Sequence, residues 1–198
     1  MHAAVFEMFE AICRPHAIRG AVLEIGATPD DSSLLNLPAL AGAREKVGIN
    51  KAGAARHKDF SILQADANAM TCFPDQCFAA VLCNAVLEHD RFFWKTLAEI
   101  QRVTQVGGLV AIGTPGYGRL RFEKTLRTWL AKLPRSARLA DGWPLQHSTL
   151  TLGVHDYPGD YYRFSEQAFR EVFFAGMKDV VIHTLLVPPR IIGAGIRT

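Results

Sequence analysis

The sequence has little that would place the protein in a membrane, on an export route or on a polyanion. No apolar run approaches the roughly 18–20 residues that a membrane-spanning helix needs. Residues 1–10 carry acids where a signal peptide has a basic region and then an apolar stretch, so we expect no secretion. The net charge is only +3, which excludes a histone-like basic tail as the main theme.

Cysteine is scarce and lacks the spacing of a metal site. The four cysteines, Cys13, Cys72, Cys77 and Cys83, form no CxxC pair. Isolated thiols of this kind suit a reducing cytoplasm, which is the location we expect, and they give no zinc-site spacing. We therefore predict that no metal takes part in the site.

Two phosphate-binding motifs are also missing. No GxxxxGK[ST] segment occurs, so the sequence contains no P-loop. No GxGxxG segment occurs either, and a bound pyrophosphate requires that glycine pattern together with a helix N-terminus. A nucleotide-dependent oxidoreductase is therefore the least favoured of the functions that we consider.

The residues that are present predict one folded domain over residues 1–198. Hydrophobic residues make up 49% of the chain and charged residues 21%, which is enough for a substantial core. Apolar spacing predicts helices over residues 2–13 and about 91–105, the second ending at Gly107-Gly108. Short apolar runs predict strands over residues 21–26, 46–50, 60–64, 78–84 and 108–113. Because these runs do not alternate with polar residues, they predict a doubly wound, mostly parallel α/β sheet with helices on both faces.

The later part of the chain has a different character. A basic segment with an apolar stripe predicts a helix over residues 119–133, and we favour a solvated basic face for it. The alternative is a lid that makes peripheral contact with a membrane surface, whereas we expect no nucleic-acid binding. A helix capped by Ser165 is predicted over about 166–175. Two last strands, about 179–187 and 191–197, are predicted to reverse at Pro188-Pro189.

The first four of these five predicted strands each end in a polar or glycine-containing step. These steps are Glu24-Ile25-Gly26, Asn50, Asp66-Ala67 and Asn84-Ala85. In an open parallel sheet, ligands bind outside the carboxyl ends of the strands, where the strand order reverses. A glycine for close backbone approach, a side chain for ribose and an aspartate for an adenine amine together predict a nucleoside site.

Several segments, taken in order, resemble the class I (Rossmann-like) S-adenosylmethionine-dependent methyltransferases of the methyltransferase 11 group. They are Val22-Leu23-Glu24-Ile25-Gly26, Ala65-Asp66-Ala67, Asn84-Ala85-Val86-Leu87-Glu88-His89, residues 106–116, and Asp160-Tyr161-Tyr162-Arg163-Phe164-Ser165. The resemblance covers about residues 20–116 and 160–187. It implies a seven-stranded sheet whose last strand is antiparallel, with residues 117–163 as a lid or substrate-binding insert. It also implies S-adenosylmethionine as cofactor and a small-molecule methyl acceptor.

The resemblance implies cofactor contacts residue by residue. They are Glu24, Gly26, Ala27 and Thr28 in the first motif, Asn50 at the ribose position, Asp66 and Ala67 at the adenine step, and Asn84 and Ala85 at the end of the fourth predicted strand. The sequence departs from the family pattern at three points. Thr28 and Asp30 replace two glycines of the usual GxGxG, Asn50 replaces an acid, and Pro38 predicts a short or broken first helix. A non-catalytic binding or scaffolding protein is therefore the alternative function.

The acceptor side offers candidates but no identified catalytic base. His89, His155, Tyr157, Tyr161 and Arg163 are candidate substrate residues. For His89, a substrate contact or base and a cap of the following helix remain equally open. For Glu88 we favour the structural role. The oligomeric state and the acceptor are not predicted.

Overall fold

A computed structural model describes residues 1–119, 149–154 and 159–198 of the chain. Most of the predicted insert falls outside these ranges. Residues 120–133 of the predicted basic helix, and the candidate residues His155 and Tyr157, lie outside the described residues.

The described residues form an eight-stranded sheet with the order β3-β4-β2-β1-β5-β6-β10-β9. The strands are β1 (Ala21–Ile25), β2 (Glu45–Asn50), β3 (Ala55–His57), β4 (Phe60–Gln64), β5 (Phe78–Asn84), β6 (Thr104–Pro115), β9 (Lys178–Leu186) and β10 (Pro189–Ile196). Strands β4, β2, β1, β5 and β6 run parallel, and β10 runs antiparallel to both β6 and β9. A separate antiparallel pair joins β7 (Gly118–Arg119) to β8 (Thr149–Leu150).

The sheet is buried on both faces, as its uninterrupted apolar strands predict. All five residues of β1 are buried, and successive residues alternate between two apolar clusters. One cluster packs against helix α1 (Ala3–Cys13) through Phe9. The other packs against α2 (Phe93–Val103) and against α3 (Glu166–Ala168), which continues as a π-helical turn over Phe169–Phe173.

The predicted mostly parallel α/β sheet is confirmed, with eight strands where seven were expected. The additional strand is β3, a short edge strand that pairs antiparallel with β4 across a turn in which Lys58 has a φ of 47°. Three residues at a sheet edge bury too little apolar surface to leave a periodic signal in the sequence. The antiparallel last strand, β10, is as the family resemblance implied.

Three predicted element ends were wrong. Helix α2 ends at Val103 instead of Gly107-Gly108, and β6 begins at Thr104 at once, so the glycines lie inside a strand. The predicted helix over 166–175 is α-helical only as far as Ala168, although Ser165 caps it as predicted, with its Oγ 3.2 Å from the Ala168 N–H. Pro189 belongs to β10 instead of to the turn before it.

The region after β1 lacks a regular helix, as Pro38 predicts. Two 3-10 turns, Leu34–Asn36 and Pro38–Leu40, replace it. Their leucines are completely buried against β1, β2 and α1, which anchors the segment without helical hydrogen bonds.

Replacing Leu35, which is fully buried in this segment, should therefore be costly. We expect Leu35→Ala to lower the free energy of unfolding by about 2–5 kcal/mol, because it leaves a cavity. The matched control is Leu63→Ala, since Leu63 is 39% exposed, and its loss should stay below about 1 kcal/mol. Urea unfolding followed by circular dichroism measures both, and equal losses would show that the 3-10 segment is not part of the core.

Candidate functional site

The polar strand ends that the sequence singles out meet at one edge of the sheet. The chain passes from β1 to β2 on one side and later to β5 on the other, so the strand order reverses at β1. Ile25 pairs with Ile49 of β2 and with Cys83 of β5, which brings the residues after each strand side by side. This is the topological position at which open α/β sheets bind ligands.

Gly26 forms the tight turn that leaves β1. Its φ is +81°, and a Cβ built on it would lie 2.4 Å from the Cγ2 of Val86, so only glycine fits there. The N–H groups of Gly26 and Ala27 both donate to the carbonyl of Ile49, at 2.9 and 3.2 Å. The backbone donors of this turn are therefore already used within the fold.

Glu24 is turned into the protein and holds the segment that follows the turn. Only 4% exposed, its carboxylate accepts the Ser33 hydroxyl and the N–H groups of Leu34 and Leu35, at 3.1 and 3.3 Å. Burial raises the pKa of Glu24 to about 7, and these hydrogen bonds offset part of the rise. Glu24 therefore caps the first 3-10 turn.

Asn50 closes β2 and is hydrogen-bonded on both sides of its amide. Its Nδ2 donates to the Ala27 carbonyl at 2.8 Å, and its Oδ1 accepts from the Ala52 N–H at 2.9 Å. These bonds tie the Gly26 turn to the end of β2. Because an amide oxygen has two lone pairs, Oδ1 retains one for a ligand.

Asp66 follows β4 and is half exposed. Its Oδ1 accepts from the Asn68 N–H at 2.9 Å and lies 3.1 Å from the Lys51 Nζ. Hydrogen bonds from the Asn68 N–H and the Lys51 ammonium outweigh desolvation and lower the pKa of Asp66. Among the described residues both contacts use Oδ1, which leaves Oδ2 as an acceptor. The next residue, Ala67, is buried beneath this step.

Asn84 ends β5 with a buried acceptor. Its Oδ1 has no hydrogen-bond partner among the described residues, and it would lie 2.7 Å from a Cβ built on Gly113 of β6. Ala85 then takes a φ of +56° and donates its N–H to the Gly113 carbonyl at 2.9 Å. The left-handed step at Ala85 turns the chain away at the strand end.

The segment in which two motif glycines are replaced, residues 28–30, makes local hydrogen bonds with the residues that follow it. Asp30 accepts from the N–H and the hydroxyl of Ser32, at 2.7 and 2.6 Å, in an exposed turn. Thr28 is half-buried and Pro29 is exposed. The side chain nearest to the Cβ position of Gly26 is Val86, from the loop after β5, and not one of these three.

The candidate substrate residues that the structure describes are held by neighbours. The Nδ1 of His89 contacts the Gly159 carbonyl, so His89 joins two loops, and the N–H at the start of α2 is capped by Asp90 instead. The Tyr161 ring lies 5.4 Å below the Arg91 guanidinium, and Arg163 forms an ion pair with Asp160. Tyr161 and Arg163 therefore contact other loop residues in the structure.

The buried carboxyl of Glu88 and the unpartnered polar groups near it were not predicted from the sequence. Glu88 is fully buried, both of its carboxylate oxygens lack hydrogen-bond partners among the described residues, and burial raises its pKa to about 7. Arg190 of β10 and Thr114 of β6 also have a buried polar atom without a partner in that part of the chain. The only sequence signal was the Glu88-His89 step after a strand, because nothing in sequence links it to residue 190.

Two cavities lie elsewhere. One, of about 340 Å³, lies between the start of α1 and Asp31-Ser32, and one of about 190 Å³ lies at the opposite edge of the sheet, beside Ala17 and Gly107. Neither is lined by Asn50, Asp66 or Asn84. We therefore place the candidate site at the strand ends on its chemistry and not on cavity volume.

The described residues contain neither a helix suited to cross a membrane nor a cluster of metal ligands. No helix among them is long and apolar enough to cross a membrane. No group of three or more His, Cys, Asp or Glu side chains in these ranges could hold a metal ion.

Comparison with known proteins gives the same picture as the strand ends. Residues 35–112 match the model of a family described as "Methyltransferase domain". This match covers less than half of the chain. No curated protein sequence matches the chain at a significant level.

Solved methyltransferases share its fold. A Burkholderia thailandensis 1,6-didemethyltoxoflavin-N1-methyltransferase, with its substrate and S-adenosylhomocysteine bound, is 15% identical, with a TM-score of 0.61 over 98% of this chain and 79% of that chain. A Haemonchus contortus phosphoethanolamine N-methyltransferase in complex with S-adenosyl-L-methionine is 12% identical, with a TM-score of 0.60 over 98% of this chain. The present chain spans only 52% of the length of the Haemonchus chain.

The buried carboxyl of Glu24 generates a pH prediction. Its pKa is higher in the folded than in the unfolded state, so its contribution to stability is greatest at low pH and falls as pH rises from 4.5 to about 7. We expect Glu24→Gln to be destabilising at pH 5, and the difference from the parent chain to shrink by up to about 3 kcal/mol by pH 8.

Thermal and urea unfolding between pH 5 and pH 8 measure this difference. The control is Glu45→Gln, which removes an exposed carboxylate from the neighbouring strand β2. A difference between Glu24→Gln and the parent chain that stays constant with pH would show that the Glu24 carboxyl does not titrate in this range.

Proposed function

We propose that this protein is a class I S-adenosylmethionine-dependent methyltransferase and that it transfers a methyl group to a small-molecule acceptor. The observation that carries the proposal is the set of side chains at the switch point beside β1. We propose a cofactor site made of Glu24, Gly26, Ala27, Thr28, Asn50, Asp66, Ala67, Asn84 and Ala85. Within this set Glu24 acts indirectly, because its carboxylate holds the segment that follows the Gly26 turn.

The polar atoms left over at this edge are acceptors. They are Oδ2 of Asp66, the second lone pair on Oδ1 of Asn50 and the buried Oδ1 of Asn84. S-adenosylmethionine offers matching donors: an adenine amine, ribose hydroxyls and an ammonium group. The residues present therefore fit this cofactor, with Asp66 at the adenine, Asn50 at the ribose and Asn84 nearer the cationic end.

The same groups suit a dinucleotide poorly. A pyrophosphate needs free N–H donors and a helix N-terminus. The N–H groups of Gly26 and Ala27 are bound to Ile49, and those of Leu34 and Leu35 are bound to Glu24. This donor shortage supports a methyl donor over a nicotinamide cofactor.

The chain's part in catalysis is mainly positioning. When bound, S-adenosylmethionine supplies an already electrophilic methyl group. The protein must exclude water and align the acceptor with that methyl group, and alignment contributes up to about 7–11 kcal/mol in well-oriented systems. A positioned base adds roughly 3–5 kcal/mol where the acceptor loses a proton.

We also propose that the acceptor is small and that the protein is located in the cytoplasm. The Burkholderia neighbour holds a small heterocycle and the Haemonchus neighbour is named for a small phosphorylated amine, which supports a small-molecule acceptor here. All four cysteines are free thiols, which supports a reducing compartment.

Titration calorimetry with S-adenosylhomocysteine tests the cofactor site. We expect binding by the parent chain, and a loss of about 1–3 kcal/mol in Asp66→Ala, because one acceptor for the adenine amine is removed. The matched control is Asp59→Ala. Asp59 also forms an ion pair with a lysine, Lys46, but it lies at the other end of β4, so its removal should leave binding unchanged.

The calorimetric result separates the alternatives. Absence of heat from the parent chain at high-micromolar ligand would contradict the proposal. Binding of S-adenosylhomocysteine without turnover of any acceptor in a broad small-molecule panel would instead favour a non-catalytic binding protein.

A further inference from the structure

Glu88 and Arg190 each have buried polar atoms that make no hydrogen bond with another described residue. Both oxygens of Glu88 and the Nη1 of Arg190 are buried and have no hydrogen-bond partner among the described residues. Glu88 is 0% exposed. A buried carboxyl without a donor is costly, and such groups in native proteins usually serve a ligand, a water or a strained function.

The two groups act on each other without touching. Arg190 is the charge that lowers the pKa of Glu88 most, and Glu88 is the charge that raises the pKa of Arg190 most. Among the described residues, the basic side chain within ion-pair distance of Glu88 is His89, whose Nε2 lies 4.0 Å from the Glu88 Oε1. Arg190 forms no ion pair with Glu88 in this part of the chain, so a third molecule that contacts both groups can complete their hydrogen bonds.

Both groups lie near the strand ends on the β5–β6–β10 side of the sheet. Glu88 is four residues past the end of β5, where Asn84 offers its buried Oδ1. Arg190 is the second residue of β10 and pairs with Pro115 of β6. The residue before Pro115, Thr114, has a buried Oγ1 that also lacks a partner among the described residues. The unpartnered groups therefore come from the ends of three adjacent strands, β5, β6 and β10.

We propose that Glu88 and Arg190 form the methyl-acceptor site, and that the acceptor carries its nucleophilic N–H or O–H beside an anionic or carbonyl oxygen. The nucleophile's hydrogen is donated to Glu88, and the neighbouring oxygen accepts from the Nη1 of Arg190. This inference rests on the proposed function and names the chemical class of its acceptor.

The reaction then balances with Glu88 as the proton acceptor. A lone pair on the acceptor nitrogen or oxygen forms the new bond to the methyl carbon, and the carbon–sulfur bond breaks with its electron pair remaining on sulfur. The proton of the nucleophile passes to the Glu88 carboxylate. Glu88 is thus a catalytic residue, whereas Arg190 positions the acceptor through its oxygen.

Proton acceptance requires the ionised form of Glu88, so acceptor binding depends on pH. Burial raises the pKa of Glu88 to about 7, and the charged or titratable groups around it are Arg190, Asp160, Arg163, His89 and Cys83. A ligand that donates to the carboxylate should therefore bind more tightly as pH rises through 7. In Glu88→Gln this rise should disappear, because the amide does not titrate.

A stability measurement tests whether Glu88 has a structural role. We expect Glu88→Gln to leave the Tm at pH 8 unchanged or raised, because no hydrogen bond of the described fold is lost. The matched control is Glu99→Gln, since Glu99 accepts from Arg102 and from the Met70 N–H, and it should lower the Tm. A loss in Glu88→Gln as large as in the control would make Glu88 structural and overturn the proposal.

A binding measurement tests the acceptor class. The probes are salicylate and anthranilate, which carry O–H or N–H beside a carboxylate, with benzoate, phenol and aniline as incomplete analogues. With the chain saturated in S-adenosylhomocysteine, we expect at least one complete probe to bind about tenfold or more tightly than the analogues. Binding should weaken by at least about tenfold in both Glu88→Gln and Arg190→Met.

The affinity for S-adenosylhomocysteine distinguishes failure of the proposed function from failure of the acceptor-site inference. We expect the two variants to keep the parent affinity for it, because neither residue is in the cofactor set. If the parent chain does not bind S-adenosylhomocysteine, the proposed function fails. If it binds but no complete probe outcompetes its analogues, or the variants bind the probes equally well, the acceptor-site inference alone is overturned.

Discussion

The hydrogen bonds by which the Glu24 carboxylate clasps residues 33–35 set the shape of the proposed cofactor site. A regular helix after β1 would satisfy its own backbone; here two 3-10 turns stand in its place, and Glu24 accepts the first of their N–H groups. Burial raises the pKa of the Glu24 carboxyl to about 7, so a group that titrates near neutral pH lies inside the core. The Gly26 turn, the bond from Asn50 to Ala27 and the burial of Leu34 and Leu35 all follow from that clasp.

This clasp changes what the strand edge can recognise. In many nucleotide-binding sheets the turn after β1 presents backbone donors to phosphate. Here those donors are used internally, and the groups left over on β2, β4 and β5 are oxygens. An edge of acceptors matches a cationic nucleoside with hydroxyls and amines, which is why loss of two motif glycines is compatible with a methyl donor.

Much of the fold was predictable because each strand is a short, unbroken apolar run ending in a polar residue. The positions of Gly26, Asn50, Asp66 and Asn84 followed from the same pattern, since carboxyl ends of parallel strands share an edge. The exact end of α2 was not predictable, because Thr104 leads straight from helix to strand before the two glycines. The three residues of β3 carried no periodic signal.

The acceptor side was harder for a physical reason. Glu88 and Arg190 are far apart in the chain and come near each other only because β10 lies antiparallel beside β6. Neither residue type is unusual in a sequence, and only burial without hydrogen bonds marks them. The substrate role of Tyr161 and Arg163 stays a prediction; in the structure Tyr161 lies beneath Arg91, and Arg163 forms an ion pair with Asp160.

The backbone of Glu88 has a second attachment. Its carbonyl oxygen accepts the N–H groups of Tyr161 and Tyr162, at 2.8 and 3.3 Å, so the chain that returns from the insert hangs on the same residue whose carboxyl lies in the interior. A molecule that moves the Glu88 side chain would therefore also pull on Tyr161 and Tyr162 through these two hydrogen bonds. Binding at the buried carboxyl would thus be transmitted to the surface segment through the peptide unit of Glu88.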